Sequence, residues 1–319
     1  MVMVELFVVL LFIYLGARIG GIGIGFAGGA GVIALSLILG VPTSQAYIPV
    51  DVILIIMSVI TAIAAMQVAG GLDWMVQVAE NFLRKHPERI TFYAPIVTYL
   101  MTLMAGTGHT AFSTLPVIAE VAKGQGVRPS RPLSIAVVAS QIAITASPIS
   151  AAVVAFAAML HPFGVDYLTL LAICIPTTFI ACMIGAFVAN FMGCELKDDS
   201  EYQERLEKGL IKLNTEAKRE ILPTAKKATF IFLGAIAFVV CYAAAISGSV
   251  GLIENPALGR NEAIMTVMLA AAAAIVMSCK IDAGKIPAAA TFRSGMTACV
   301  CVLGAGLQGS RRSACGLSG

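Results

Sequence analysis

Charge is what this chain has least of. Lys, Arg, Asp and Glu make up 12% of its 319 residues, about half of what a soluble domain carries. A water-soluble fold would have too few charged groups to cover an apolar content of 59%. A mean hydropathy of +0.91 therefore places the chain in a bilayer. There is no basic patch with interleaved aromatics, which excludes nucleic acid as a partner. The eight cysteines form no C-x-x-C pair and no ligand set with the three histidines, so no metal is expected. Cys174, Cys182, Cys194, Cys241, Cys279, Cys299 and Cys301 lie in or beside apolar runs, with Cys315 in the tail, and read as buried free thiols. H-E-x-x-H and G-x-S-x-G are both missing, and no histidine pair suits a haem, so neither an enzyme nor a cofactor is expected.

Glycine, in contrast, is abundant and clustered. Gly23, Gly25 and Gly28 in "GGIGIGFAGGAG" spell G-x-G-x-x-G, the spacing of a dinucleotide cradle. That cradle needs a preceding strand and an acid about twenty residues on. Here the flanks are apolar and the first acid, Asp51, follows a proline-containing turn. The same stretch carries Gly21, Gly25 and Gly29 at i, i+4 spacing, which predicts a bare helix face for close helix packing in lipid.

Apolar runs of spanning length, about twenty residues or somewhat fewer, occupy Met1–Ala17, Ile19–Leu39, Val52–Ala69, Leu133–Leu160, Leu168–Met192, Ala228–Ile246 and Ala263–Cys279; another opens near Ala288. The first lacks a basic leader and a cleavage site, and reads as a retained span. Residues 72–87 form an amphipathic pattern with Leu72, Met75, Val76, Ala79 and Leu83 on one face, expected to lie in the membrane interface with Asp73 as its cap. The run 90–122 is different. Its arms, Ile90–Ala105 and Ala111–Ala122, reach about 24 Å and 18 Å as helices, each short of a hydrocarbon core of about 30 Å. As a re-entrant hairpin broken at "GTG", it puts every basic cluster on one face: Arg18; Arg84, Lys85 and Arg89; Lys123, Arg128 and Arg131; the bases of 197–227; and Lys280, Lys285 and Arg293. Only Arg260 then falls outside, in keeping with the positive-inside rule, and the N-terminus lies opposite the basic face.

The expected organisation is all-α and polytopic: a first membrane unit over 1–193 containing the hairpin and a broken helix at 133–160, a charged connector at 194–227, a second membrane unit opening at 228–305, and an atypical tail at 306–319. The connector balances eight acids against eight bases, with Glu201/Arg205 and Glu204/Lys208 at i, i+4.

Two stretches break the helical pattern at membrane depth, "AGTGHTAFSTLP" (105–116) and "SQIAITASPISAA" (140–152). Unwound backbone is tolerated there only inside protein or beside a watery cavity, and a half-helix that starts in mid-membrane directs its positive end at an anion. The candidate substrate-binding residues are Gly106, Thr107, Gly108, His109, Thr110, Ser113 and Thr114 at the first break, and Gln141, Thr145, Ser147, Pro148 and Ser150 at the second. Starts near Thr110 and Ile149 would face the two ends of a small dianion. Hydroxyls and glycines at such places also knit helices together, and His109 can serve a carboxylate, a proton or a backbone carbonyl. Arg84 and Arg128, at the hairpin's base, can attract an anion or anchor to headgroups.

"LGARIGGIGIGFAGG" (15–29), "VDVILIIMSVITAIAAMQVAGGLD" (50–73), "GTGHTAFSTLPVIAEVA" (106–122) and "QIAITASPISAAVV" (141–154) strongly resemble the anaerobic C4-dicarboxylate transporter (Dcu) family of bacteria. The resemblance runs to about Ala305. It implies a multi-pass inner-membrane carrier with a periplasmic N-terminus that exchanges fumarate, succinate, malate and aspartate, built from two inverted repeats as in the wider ion-transporter superfamily. Small dicarboxylates and lipid are the partners implied, and a homo-oligomer is compatible with it. Family members continue for roughly a third more chain, so "GLQGSRRSACGLSG" reads as a truncated or frameshifted end that leaves the second repeat incomplete. Outside the resemblance, an organic-anion channel and a structural membrane subunit are the alternatives.

Overall fold

A computed structural model describes residues 2–38, 40, 50–160, 163–165, 167–192, 196, 198–199, 202–204, 221–247, 252–253 and 256–309. All regular elements among them are helical. In chain order they are α1 (Val2–Ile19), α2 (Gly23–Ile33, continued by a π-helical turn Ala34–Ile38), α3 (Val50–Val68), α4 (Gly71–Lys85), α5 (Ile90–Ala105), α6 (His109–Phe112), α7 (Leu115–Gly124), α8 (Ser130–Ile142), α9 (Ala151–Leu160), α10 (Tyr167–Asn190), α11 (Ala225–Ala245), α12 (Arg260–Cys279) and α13 (Ala290–Gly309). Each connector pair, Glu201/Arg205 and Glu204/Lys208, has at least one member outside the described residues, and the tail beyond Gly309 lies outside them too.

Among the described residues four helices, α3, α10, α11 and α12, are long and apolar enough to cross a bilayer. What they expose confirms the solvent they are built for. On α10, Ile173, Ile180, Ile184, Phe187 and Val188 are each more than half exposed. In water every such side chain would forgo about 1.5–3 kcal/mol of burial; in lipid it loses nothing. The axis of the bundle is α3, where Ile55, Ala62, Ala64, Ala65 and Met66 are fully buried and share one core with Ile264 and Met268 of α12 and Phe232 of α11.

Contacts at the helix ends sort the bundle into two poles. The Thr224 hydroxyl donates to the Ala69 carbonyl, and the Lys227 ammonium donates to the carbonyl of Ser278. On the other flank the Arg131 guanidinium donates to the carbonyl of Met192, and the Leu196 amide donates to Gly126. The end of α3, the start of α11, the end of α12, the start of α8 and the end of α10 therefore share one pole. Arg260 and Tyr167 open their helices at the other. Arg18 departs from the charge-based expectation. The turn at Gly20–Gly21 lies beside Cys301, whose thiol donates to the Gly21 carbonyl, while Cys299 reaches Ile53 near the start of α3. That level is remote from Ala69, so Arg18 is not gathered with the other bases and lends the N-terminal orientation no support.

Three local expectations are refined. Glycine packing is real, but its face is Gly25 and Gly28. A Cβ at Gly25 would lie 2.7 Å from the Val300 carbonyl oxygen, and one at Gly28 would lie 2.6 Å from the Gly304 carbonyl carbon. Gly29 faces open space and Gly21 sits in the turn at φ +51°, because a straight helix with 3.6 residues per turn carries an i, i+4, i+8 row off a contact made at 25 and 28. The apolar face of α4 is as expected, with Met75, Val76, Ala79 and Leu83 buried, yet much of what covers it is protein. Thr229 of α11 donates to Gly71, and Trp74 packs on Phe230. Asp73 is not the cap. The N-cap is Gly70 at φ +83°, and Asp73 lies in the first turn, where its charge complements the helix dipole.

The same substitution should thus have opposite signs at adjacent glycines. Gly28→Ala forces α2 and α13 apart, at a cost of about 1–3 kcal/mol; Gly29→Ala gains about 0.5–1 kcal/mol of helix propensity. Thermal unfolding of the two variants in one detergent measures both.

Candidate functional site

The first break follows from one glycine. Gly106 ends α5 at φ +69°, and its amide donates back to Thr102 at 2.8 Å, a left-handed helix cap that only glycine adopts without strain. The chain restarts as the single turn α6, loosens again at Ser113–Thr114 and continues as α7. The expected second arm is therefore two pieces. At the base, the Arg84 guanidinium donates to both oxygens of Glu120, at 2.9 and 3.3 Å, and to Glu80 at 3.0 Å. Arg84 precedes α5 and Glu120 lies on α7, so the two ends of the run 90–122 meet. The Glu120 hydrogen bond also holds the Arg84 pKa above its ordinary value. Arg84 is thereby engaged by carboxylates of its own chain, and Arg128 lies 3.7 Å from Asp199.

The second break lies between α8 and α9. After Ile142 the helix tightens to a 3₁₀ turn at Ala143–Ala146, Ser147 is extended, and α9 begins at Ala151, two residues later than expected. The buried Ser147 hydroxyl donates across the break to Leu103 of α5 at 2.7 Å. Ser150 donates to Ile144 at 2.6 Å and accepts from the Val153 amide, capping α9. The carbonyl of Pro148 accepts from the Tyr167 hydroxyl. Thr98 donates to Ala136 at 2.9 Å, binding α5 to α8 just below.

The two breaks meet. A Cβ on Gly106 would lie 2.9 Å from Ile149, and one on Gly108 would lie 2.5 Å from the Gln141 amide nitrogen. Beside this junction is a cavity of about 220 Å³ whose wall includes Gly106 and Thr107, Ile144 and Ile149, Ile60 and Ile63, and Thr291 and Ser294. Ile56, Val59, Ile60 and Ile63 also line it, so it sits level with the middle of α3.

Of the twelve substrate-binding candidates, Gly106 and Thr107 line this cavity. Ser147, Ser150 and Thr114 do not offer free hydroxyls, because each donates to a backbone carbonyl: Ser147 across to Leu103 of α5, Ser150 and Thr114 within their own breaks, Thr114 to Ala111 at 2.7 Å. A buried hydroxyl must find an acceptor, and the break supplies the nearest. These residues shape the site without forming its wall. Thr145 is exposed and donates to Ile142; Ser113 is exposed, and Gln141 packs on Gly108. The side chains of His109 and Thr110 lie outside the described residues.

The cavity has a wall that sequence reasoning missed. Thr291 and Ser294 belong to the first turns of α13, which carry no acid, leaving the positive helix end uncompensated. Gln67 accepts from the Thr291 hydroxyl at 2.6 Å and from its amide at 3.3 Å. A Cβ on Gly295 would fall 1.9 Å from Ile60, so α13 and α3 touch backbone to side chain. The signal was a lone amide, Gln67, in the apolar run of α3, and the hydroxyls of "ATFRSG" opening the last run. Among the described residues no three His, Cys, Asp or Glu side chains could hold a metal ion.

This is the architecture of a polytopic membrane carrier. A family model described as anaerobic C4-dicarboxylate membrane transporter matches residues 1–311, and the chain belongs to that family, one of transporters and not of enzymes. It is 62% identical over 304 residues to the C4-dicarboxylate transporter DcuA of Wolinella succinogenes, covering 95% of this chain and 70% of that one. To the DcuA of Escherichia coli K12 it is 52% identical over 305 residues, with the same coverage. The DcuA of Helicobacter pylori J99 is 53% identical over 301 residues, 94% of this chain and 68% of that one. The family match continues to residue 311, past Ala305, where the likeness was expected to stop. No solved structure matches the chain.

Ser147 and Thr145 separate scaffolding from exposure. Ser147→Ala leaves the Leu103 carbonyl without this donor, for a loss of about 1–3 kcal/mol; Thr145→Ala stays within about 0.5 kcal/mol of the parent. Thermal unfolding again provides the measurement.

Proposed function

We propose that the chain carries C4-dicarboxylates such as fumarate, succinate, malate and aspartate across the bacterial inner membrane by exchange, and that the substrate sits in the cavity between the two breaks. The observation that carries this reading is the convergence of two interrupted helices on one cavity level with the middle of a spanning helix. Irregular backbone is tolerated at that depth where it is enclosed by protein or borders a watery space, and carriers place their substrates there. A volume of about 220 Å³ is smaller than the roughly 300–1,000 Å³ of sites for drug-sized ligands, as a four-carbon diacid requires. Thr107, Thr291 and Ser294 place hydroxyls in the wall, those of Thr291 and Ser294 held by Gln67 and by the Thr291 carbonyl and open to exchange with a substrate acceptor, and the first turn of α13 supplies a positive dipole end. Apolar Ile56, Val59, Ile60, Ile63, Ile144 and Ile149 exclude water, so each donor counts for more than it would in water.

In this reading the run 90–122 enters and leaves on one side, the cytoplasmic one by the positive-inside rule, with the Arg84–Glu120 pair clasping its base. Alternating access follows from rocking of one group of helices against the other about the fixed site.

Two measurements test it. Reconstituted into proteoliposomes, the chain should take up labelled succinate or fumarate when unlabelled dicarboxylate is inside and not when the vesicles are empty. Thr107→Val should lower that exchange about tenfold, the worth of one hydrogen bond to a charged group. Equal uptake into empty vesicles would make the protein a channel; parental exchange by Thr107→Val would remove the cavity from the path. For the hairpin, Arg89→Cys and Lys123→Cys in a cysteine-free background should react with an impermeant maleimide from the same face of the cell membrane. Labelling from opposite faces would overturn the re-entrant turn.

A further inference from the structure

At the pole remote from the basic clusters lies a second cavity, of about 290 Å³, walled by Tyr167, Ser247, Arg260, Asn261 and Glu262. It differs in kind from the central one, because its wall carries a full positive charge. The Arg260 guanidinium carbon stands 4.9 Å from the centre of the Tyr167 ring, in the range of a cation–π contact. Its Nε is buried and makes no hydrogen bond, and the same holds for Oδ1 of Asn261. A buried donor and a buried acceptor left without partners each cost about 1–3 kcal/mol, and here they are neighbours in the wall of one cavity. No described carboxylate pairs with Arg260, although Glu262 lies two residues on. A simple surface arginine would turn its head into water; this one is held against an aromatic face with its inner nitrogen unmatched.

We propose that this cavity is a second, outer binding site for a small carboxylate that also carries a hydrogen-bond donor, such as an α-amino dicarboxylate. One carboxylate of the ligand accepts from Arg260, whose planar fork suits a carboxylate. The ligand's ammonium donates to Oδ1 of Asn261, with the Glu262 carboxylate favouring the positive group. That pairing explains why an acid shares a cavity with a base without neutralising it: the two serve opposite ends of one zwitterion. Tyr167 ties the cavity to the α8–α9 break, since its ring carries the guanidinium while its hydroxyl donates to Pro148. The site stands on its own residues and does not require the central cavity to be the transport site.

Phenylglyoxal modification of the purified full chain in detergent, mapped at Arg260 by peptide mass spectrometry, tests this directly on the parent protein. L-aspartate at ten times its Kd should slow modification of Arg260 by about tenfold, by mass action. Succinate, which lacks a donor for Asn261, should require about tenfold higher concentration for equal protection. Asn261→Ala should abolish that preference while leaving succinate protection as it was. In Thr107→Val, altered only in the central cavity, aspartate should still protect. Protection lost in Thr107→Val would mean that Arg260 merely senses occupancy of the central cavity, and would overturn the outer site. So would a modification rate that neither anion changes, or equal protection by both in the parent chain.

Discussion

The constraint on which this structure depends is that hydrocarbon cannot hydrogen-bond a peptide group. Every amide and carbonyl freed at Gly106 or Ser147 must be matched inside the protein or face a polar space. The chain solves this with short side chains that reach backward or across: Ser147 to Leu103, Ser150 to Ile144, Thr114 to Ala111. The Ser147 bond holds the two interrupted helices against each other while the other two close their own breaks, and the central cavity lies beside that junction, walled also by α3 and α13. Site and scaffold are thus one hydrogen-bonding problem.

Charge performs a complementary task at the ends of the bundle. Arg84 gathers Glu80 and Glu120 at a shared base, so that two short helical arms which would each be marginal alone close on one another. An exposed ion pair contributes little to stability, but this one joins groups 36 residues apart and ties the end of α4 to α7.

Much of this was legible in the primary structure. The amphipathic face of α4 and both breaks follow from hydrophobic runs, their lengths and the residues that interrupt them; the helix count does not, since the second arm of 90–122 is two pieces. The pole shared by Arg84, Arg131 and Lys227 follows from charge bias. Arg18 did not follow it, because a single base near a glycine turn is placed by the packing of Gly25 and Gly28 on α13. Which hydroxyls face the cavity was not legible either. Serine and threonine read alike whether they donate to a local carbonyl or to a ligand, and the choice rests on which carbonyls a break leaves unpaired. Thr291 and Ser294 escaped notice because their partner Gln67 lies 224 residues away, a separation no local pattern encodes.

The pairing of Gln67 with Thr291 has its own consequence for how the central cavity fills. A carboxamide oxygen that accepts from both a hydroxyl and the amide of the same residue occupies the place an incoming carboxylate oxygen would want. In the proposed site, an arriving anion would have to displace this resident acceptor. The trade is one acceptor for another, so the gain lies in charge and not in the number of bonds. On the same proposal a departing anion would return those donors to glutamine.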